Sequence, residues 1–145
     1  MAVPDAVDTA VRALSRRDRC ETDVRRILER KGVSAAEAAA AVDVLRRLAA
    51  VDDARFAARS AESLASRGYG DTAIVARLEQ EGVERELARE AVAALAPESE
   101  RAAALAGRRG RGVRTARWLA ARGFGADAVE SAARPIAESD IAELG

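Results

Sequence analysis

Apolar residues recur along this chain at helical spacing, in short stretches separated by glycine or arginine-rich turns. Val7, Val11 and Leu14 fall at i, i+4 and i+7, followed by Val24 and Leu28 and then by Ala38, Ala41, Val42, Leu45 and Leu48. Each set places one stripe on one side of a helix, so the first third of the chain predicts three amphipathic helices. The pattern then returns. "TDVRRILERKGV" (22–33), "TAIVARLEQEGV" (72–83) and "VRTARWLAARGF" (113–124) align without gaps, superposing Leu28, Leu78 and Leu119, with Gly32, Gly82 and Gly123 four residues on. The same register matches Leu14, Leu64 and Leu105 upstream. Downstream it matches Val42, Val92 and Ala133, and also Leu45, Leu95 and Ile136.

A pattern that repeats on both sides of its anchor predicts three copies of one unit. The fold class is therefore all-α, three tandem three-helix repeats stacked into an elongated array. The expected spans are 4–49, 52–96 and 98–137, with 138–145 an acidic, frayed tail. Gly32, Gly82 and Gly123 suit the left-handed position that closes a helix. Asp52 is placed to cap the first helix of the second copy, and Pro97 marks the second boundary. A unit this small buries too little apolar surface to stand alone, so neighbours are expected to stack.

Composition agrees and removes several functions. Hydrophobic residues make up 49% of the 145, aromatic residues only 3%, so an Ala/Leu/Val core favours closely packed helices over sheet. There is no histidine and one cysteine, which leaves no Ser-His or Cys-His pair, no zinc set and no disulfide. A protein without enzymatic activity, metal or cofactor is expected. Asp52 and Asp53 are adjacent and diverge, so capping explains them better than catalysis. Cys20, beside Arg19 at a helix start, is either a small structural residue or a thiol of lowered pKa. Gly107 and Gly112 have phosphate-loop spacing, but Val113 and Arg114 stand where Lys and Ser/Thr are required, and no strand precedes them. No secretion signal or apolar span is evident, which implies a cytoplasmic protein away from membranes, with a monomer as the default.

Charge is where the chain departs from a bland helical array. The formal net charge is zero, with 24 basic and 24 acidic residues, yet "GRRGRGVRTARWLAARGFG" (107–125) holds six arginines and no acid. By copy, the balance is +2 over 1–51, −3 over 52–97 and +1 over 98–145. Two basic zones thus flank an acidic centre. Arg108, Arg109 and Arg111 are expected in the turn before the helix bearing Arg114 and Arg117, and like charges at that spacing repel unless something anionic pairs with them. Trp118 is expected between repeats or against a nucleobase, Tyr69 in a turn, and Phe124 in the core.

"ALSRRDRCETDVRRILERKG" (13–32), "VDDARFAARSAESLASRGYG" (51–70) and "ARWLAARGF" (116–124) together resemble the RecX family, bacterial regulators of the RecA recombinase. The resemblance implies tandem three-helix repeats and a protein that binds along the RecA–DNA filament and restrains ATP hydrolysis and strand exchange. It also implies contact with single- or double-stranded DNA without sequence preference. The implied contact residues are Arg16, Arg17, Arg25, Arg26, Arg30 and Lys31 in the first copy. Arg108, Arg109, Arg111, Arg114 and Arg117 are their counterparts in the third. Two features depart from the family: "DTAIVARLEQEG" lacks paired basic residues, and Cys20 stands where a serine-like cap is expected. The alternative is a stand-alone helical DNA-binding protein that acts independently of RecA.

Overall fold

The computed structural model describes residues 2–134. Ile136 and the acidic segment 138–145 lie outside the described residues. Nine helices account for the described chain, with no strand among them: α1 (Val3–Arg16), α2 (Glu21–Arg30), α3 (Ala35–Arg47), α4 (Asp53–Ser66), α5 (Asp71–Glu81), α6 (Arg85–Ala93), α7 (Glu98–Arg109), α8 (Val113–Ala121) and α9 (Ala126–Ala133). Every helix pair in extensive contact lies within α1–α3, α4–α6 or α7–α9. The all-helical three-repeat architecture follows.

Each triplet has its own core and builds it in the same way. The first and third helices meet across small side chains: Ala6 and Ala10 with Ala38 and Ala41, Ala57 and Ala61 with Ala88 and Ala91, Ala102 and Ala106 with Ala128 and Ala132. Alanines three or four positions apart share a helix face and let two backbones approach closely. The middle helix then inserts Leu28, Leu78 or Leu119, each at most 1% exposed. This alanine seam corrects two expectations. Val11 is 48% exposed because α1 turns Ala6 and Ala10 inward instead, and Leu48 is 69% exposed because α3 ends at Arg47.

Helix ends follow local chemistry. Gly32, Gly82 and Gly123 have φ of 89°, 102° and 89°, the left-handed closure their spacing predicts. The Asp52 carboxylate accepts from the Arg55 amide at 3.0 Å, and Pro97 immediately precedes α7.

The starts of α2 and α5 are different. Cys20 and Gly70 occupy their N-cap positions without a side-chain cap, although the first helical amides need partners. The next triplet supplies them. Asp53, first residue of α4, accepts from the Glu21 amide at 2.8 Å, and Glu98, first residue of α7, accepts from the Asp71 amide at 3.3 Å. Cys20 is fully buried against the second core, with its Sγ donating to the Glu81 carbonyl at 2.9 Å. Burial raises its thiol pKa, so of the two readings of Cys20 the small structural residue holds and the thiol of lowered pKa does not.

The second junction adds direct backbone contact. The amides of Gly70 and Thr72 donate to the carbonyls of Arg122 and Gly123 at 2.8 and 3.2 Å. Arg101 of α7 reaches back to Asp71 at 2.7 Å and to the Tyr69 carbonyl at 3.1 Å. A Cβ on Gly70 would lie 2.4 Å from the Phe124 amide nitrogen, and one on Gly123 would lie 2.5 Å from the Ala73 Cβ, whereas one on Gly32 meets nothing within 4 Å.

Two outcomes are expected. Gly32→Ala should cost only the left-handed strain, about 1–2 kcal/mol. Gly123→Ala adds a clash across the junction of about 1–3 kcal/mol more, so urea unfolding followed by circular dichroism should rank it well below Gly32→Ala. Asp53 supplies the second test, because burial raises its pKa above the ordinary 3.8. A raised carboxyl pKa stabilises the fold when protonated. That contribution is complete below the unfolded value and is lost as pH rises through the folded one. Asp53→Asn keeps an acceptor for the Glu21 amide without a buried charge, so it should equal or exceed the parent in stability at pH 7, with the difference shrinking on acidification. Asp53→Ala should lose about 0.5–2 kcal/mol at both ends.

Candidate nucleic-acid interface

The basic residues of the first triplet do not all point at one target. Arg17 lies 3.5 Å from Asp23, and Arg25, half-buried, donates to the Thr22 hydroxyl at 3.3 Å. Arg16, Arg26, Arg30 and Lys31 are exposed and make no ion pair among the described residues. They are spread over the end of α1 and the outer face and end of α2.

In the third triplet the arginines are more concentrated, and their placement differs from the expected turn. α7 continues through Gly107 to Arg109, so Arg108 and Arg109 belong to its last turn, where their charge complements the carbonyl end of the helix. A phosphate loop at 107–112 is excluded because Gly107 is helical. Gly110 and Gly112 make the connection with φ of 93° and 126°, followed by Arg114 and Arg117 on exposed positions of α8.

Arg111 has a structural engagement. Its Nη1 donates to the carbonyls of Ala132 and Arg134, each at 3.1 Å, so it closes the C-terminal end of α9. Of the nine helices, α8 is the one with no acid in its first turn. The positive end of its dipole therefore adds to Arg108, Arg109, Arg114 and Arg117 instead of being neutralised.

Trp118 is half-buried in the third core, and Gly68 lets the second triplet approach it, since a Cβ there would lie 3.3 Å from its ring. It thus packs between repeats. One face nevertheless carries the Arg109 guanidinium, 3.9 Å from the ring centroid. Arg122 lies 5.2 Å from the same ring and 4.0 Å from that of Tyr69, and Arg77 lies 4.1 Å from Tyr69. Arg77, Tyr69, Arg122, Trp118 and Arg109 thus form a continuous series of guanidinium–ring contacts across the second junction.

Stacking changes what an arginine can do. It occupies the face of the guanidinium and leaves the N–H groups in its plane free to donate to an oxyanion, with less side-chain freedom to lose. Arg77 donates to the Tyr69 hydroxyl at 3.0 Å, and Arg122 donates to the Gly68 carbonyl at 3.3 Å and to that of Arg67. Arg109 makes no hydrogen bond among the described residues. Its donors are therefore the ones held ready for an added anion.

Sequence spacing missed Arg77 and Arg122 as members of this surface. The signal available for them was Tyr69 between Gly68 and Gly70, a ring in a turn that two backbones can approach.

No hydrogen bond, ion pair or ring contact joins the first triplet directly to the third among the described residues, so any continuity between the two basic zones runs through the second. No group of three or more potential metal-ligating side chains occurs among them, and no helix there is long and apolar enough to cross a membrane.

Comparison with known proteins gives this surface a context. Residues 6–45 match the first three-helix domain of RecX and residues 52–92 match the second. The chain is 38% identical over 135 residues to the regulatory protein RecX of Chromohalobacter salexigens, covering 86% of this chain and 88% of that one. It is 33% identical over 138 residues to the regulatory protein RecX of Xanthomonas oryzae pv. oryzae, covering 88% and 86%. The fold is similar to the crystal structure of RecX from Lactobacillus salivarius, with a TM-score of 0.78 over 98% of this chain and 96% of that one, at 17% identity.

The Arg111 contacts give a test. Arg111→Ala should lower the melting temperature, with a loss of about 1–3 kcal/mol for carbonyls left without a partner. Arg114→Ala, exposed and unbonded, should stay within about 0.5 kcal/mol of the parent. Equal melting of the two variants would remove the structural role assigned to Arg111.

Proposed function

Because the chain belongs to the RecX family of regulatory proteins, we propose that it acts in the cytoplasm by binding the RecA–DNA filament and restraining ATP hydrolysis and strand exchange. It does so as a monomer and without catalytic turnover of its own. The observation that carries the reading is the basic face at the α7–α8 connection. There Arg108, Arg109, Arg114 and Arg117 surround a helix start with no acidic residue, and a guanidinium is held on Trp118 with its donors unengaged. Arginine forks match phosphate oxygens in shape and charge. A face of this kind supports phosphate contact without reading base sequence.

The zero net charge supports a composite target. A uniformly basic protein suits naked nucleic acid, whereas a filament presents protein and phosphate together. Arg16, Arg26, Arg30 and Lys31 of the first triplet contribute a second contact zone, with Arg17 and Arg25 at its margin. We take the sequence spans 4–49, 52–96 and 98–137 as the three units, residues 135–137 lying outside the described chain.

The test is kinetic and electrostatic. At several-fold molar excess over filament subunits, the protein should slow DNA-dependent ATP hydrolysis by RecA; unchanged hydrolysis and strand exchange would overturn the assignment. With about three phosphates contacted, binding should fall about 20- to 40-fold between about 50 and 200 mM salt. The combined change Arg109→Ala, Arg114→Ala and Arg117→Ala should flatten that dependence and weaken inhibition, while the helical signal is retained.

A further inference from the structure

The middle triplet is the acidic one, with six basic and nine acidic side chains over 52–97, and charge counting assigns it no anion contact. Its charges are sorted in space, however. A cavity of about 490 Å³ opens between the α1–α2 connection and the α4–α5 pair, and Arg17, Arg59, Arg67 and Arg77 all line it. Its acids are Asp18 and Glu81. Asp18 is 3.8 Å from Arg59, a distance too long for a hydrogen bond. The remaining acids of the triplet lie elsewhere, so the groove is locally basic within an acidic repeat.

The arginines of the groove are available. Arg59 and Arg17 are 69% and 57% exposed, and each faces a more covered carboxylate, Asp18 at 3.8 Å and Asp23 at 3.5 Å, over distances that leave the guanidinium donors room for a second oxyanion. Arg77 is fixed on Tyr69 at 4.1 Å, with Arg67 at 5.5 Å from the same ring. Ser60 and Ser63 add hydroxyl donors to the lining. Through Tyr69 the groove runs directly into Arg122, Trp118 and Arg109. One track of arginine thus crosses all three triplets, entering at Arg17 and leaving at Arg109.

We propose that this groove binds the phosphate backbone of a nucleic-acid strand, and that the strand continues over the Tyr69–Trp118 series to the α7–α8 face. The proposal rests on the reading of the protein as a filament regulator and adds a residue set in the middle repeat to it. Several features favour a nucleic acid over an acidic polypeptide. Arginine is spaced along a line instead of gathered at one point. Hydroxyl donors stand beside it, and the guanidinium planes of Arg17 and Arg59, which lie on no ring among the described residues, offer stacking surfaces to bases. Because Arg17 comes from the first triplet and the other lining arginines from the second, a bound strand also bridges their junction.

The test uses the full chain and a labelled oligothymidine of about 20 nucleotides, followed by fluorescence anisotropy, with a hairpin duplex as a second arm to distinguish single from double strands. Arg17→Ala with Arg59→Ala should weaken binding about 5- to 20-fold and make the log–log salt slope shallower by about 1 to 1.5. The matched change Arg47→Ala with Arg89→Ala, away from the groove, should leave it within about 2-fold. Arg17→Lys with Arg59→Lys should recover most of the loss, and matching circular dichroism melts establish that all variants fold. Wild-type binding by the Arg17/Arg59 alanine variant overturns the groove assignment. So does polyglutamate that binds in place of the oligonucleotide and responds to the same two changes. RecA inhibition is read in parallel: its absence with groove binding intact counts against the filament reading alone, and its presence with binding insensitive to Arg17 and Arg59 counts against the groove alone.

Discussion

The arrangement of this protein depends on a cap that a helix does not supply for itself. α2 and α5 begin after Cys20 and Gly70, neither of which caps the first amides of its helix with a side-chain acceptor. The missing acceptors are Asp53 and Glu98, the residues that open the next triplet. Glu98 also accepts from the Gly125 amide at 2.8 Å, tying the start of α7 to the start of α9. Backbone donors at a helix start that packing shields from water cost free energy unless paired, so each junction has a preferred orientation and not merely an apolar contact. Three small alanine-seamed cores become one array because the polar ends of their helices are completed by their neighbours.

The two junctions are tied differently, although both bring a glycine against the neighbouring triplet, Gly82 against Thr22 and Gly123 against Ala73. Between the first and second triplets the ties are side-chain mediated, through Asp53, the Cys20 thiol and the long Arg59–Asp18 pair. Between the second and third, backbone donates to backbone, and Gly70 and Gly123 sit where no Cβ fits. Arg101, with its side chain only 12% exposed, bonds across the same seam. The seam joined by backbone hydrogen bonds is the one that carries the arginine–aromatic series. A guanidinium held on a ring from another repeat stays in register only if the two repeats do not slide.

This construction also explains how a chain of zero net charge carries a basic surface. Acids are used at helix starts, where Glu21, Asp53, Asp71 and Glu98 serve amides or pair with Arg46 and Arg101. Arg46 grips Glu21 with two bonds of 2.5 and 2.9 Å, a fork that raises its pKa further. Acids committed to these duties are withdrawn from the faces where Arg108, Arg109, Arg114 and Arg117 stand. Net charge is a sum over all directions, whereas a ligand meets only the charges on one side.

The sequence by itself determined the helical class, the threefold repeat and the family. Leu28, Leu78 and Leu119 must be buried wherever a 3.6-residue period places them, and Gly32, Gly82 and Gly123 close helices because only glycine adopts that backbone without strain. Asp52 was legible as a cap for the same local reason. Tertiary structure alone decided which apolar face of α1 was used, since alanine and valine stripes compete there and close helix approach selects Ala6 and Ala10 over Val11. It also decided that Cys20 is a buried junction residue, that Arg111 closes α9, and that Arg17, Arg59, Arg77, Arg122 and Arg109 share one track. Periodicity records the contacts a helix makes within a few residues of itself. The partner of an arginine fifty residues away depends on how repeats are oriented, and that orientation is set by hydrogen bonds between chain segments that no local spacing encodes.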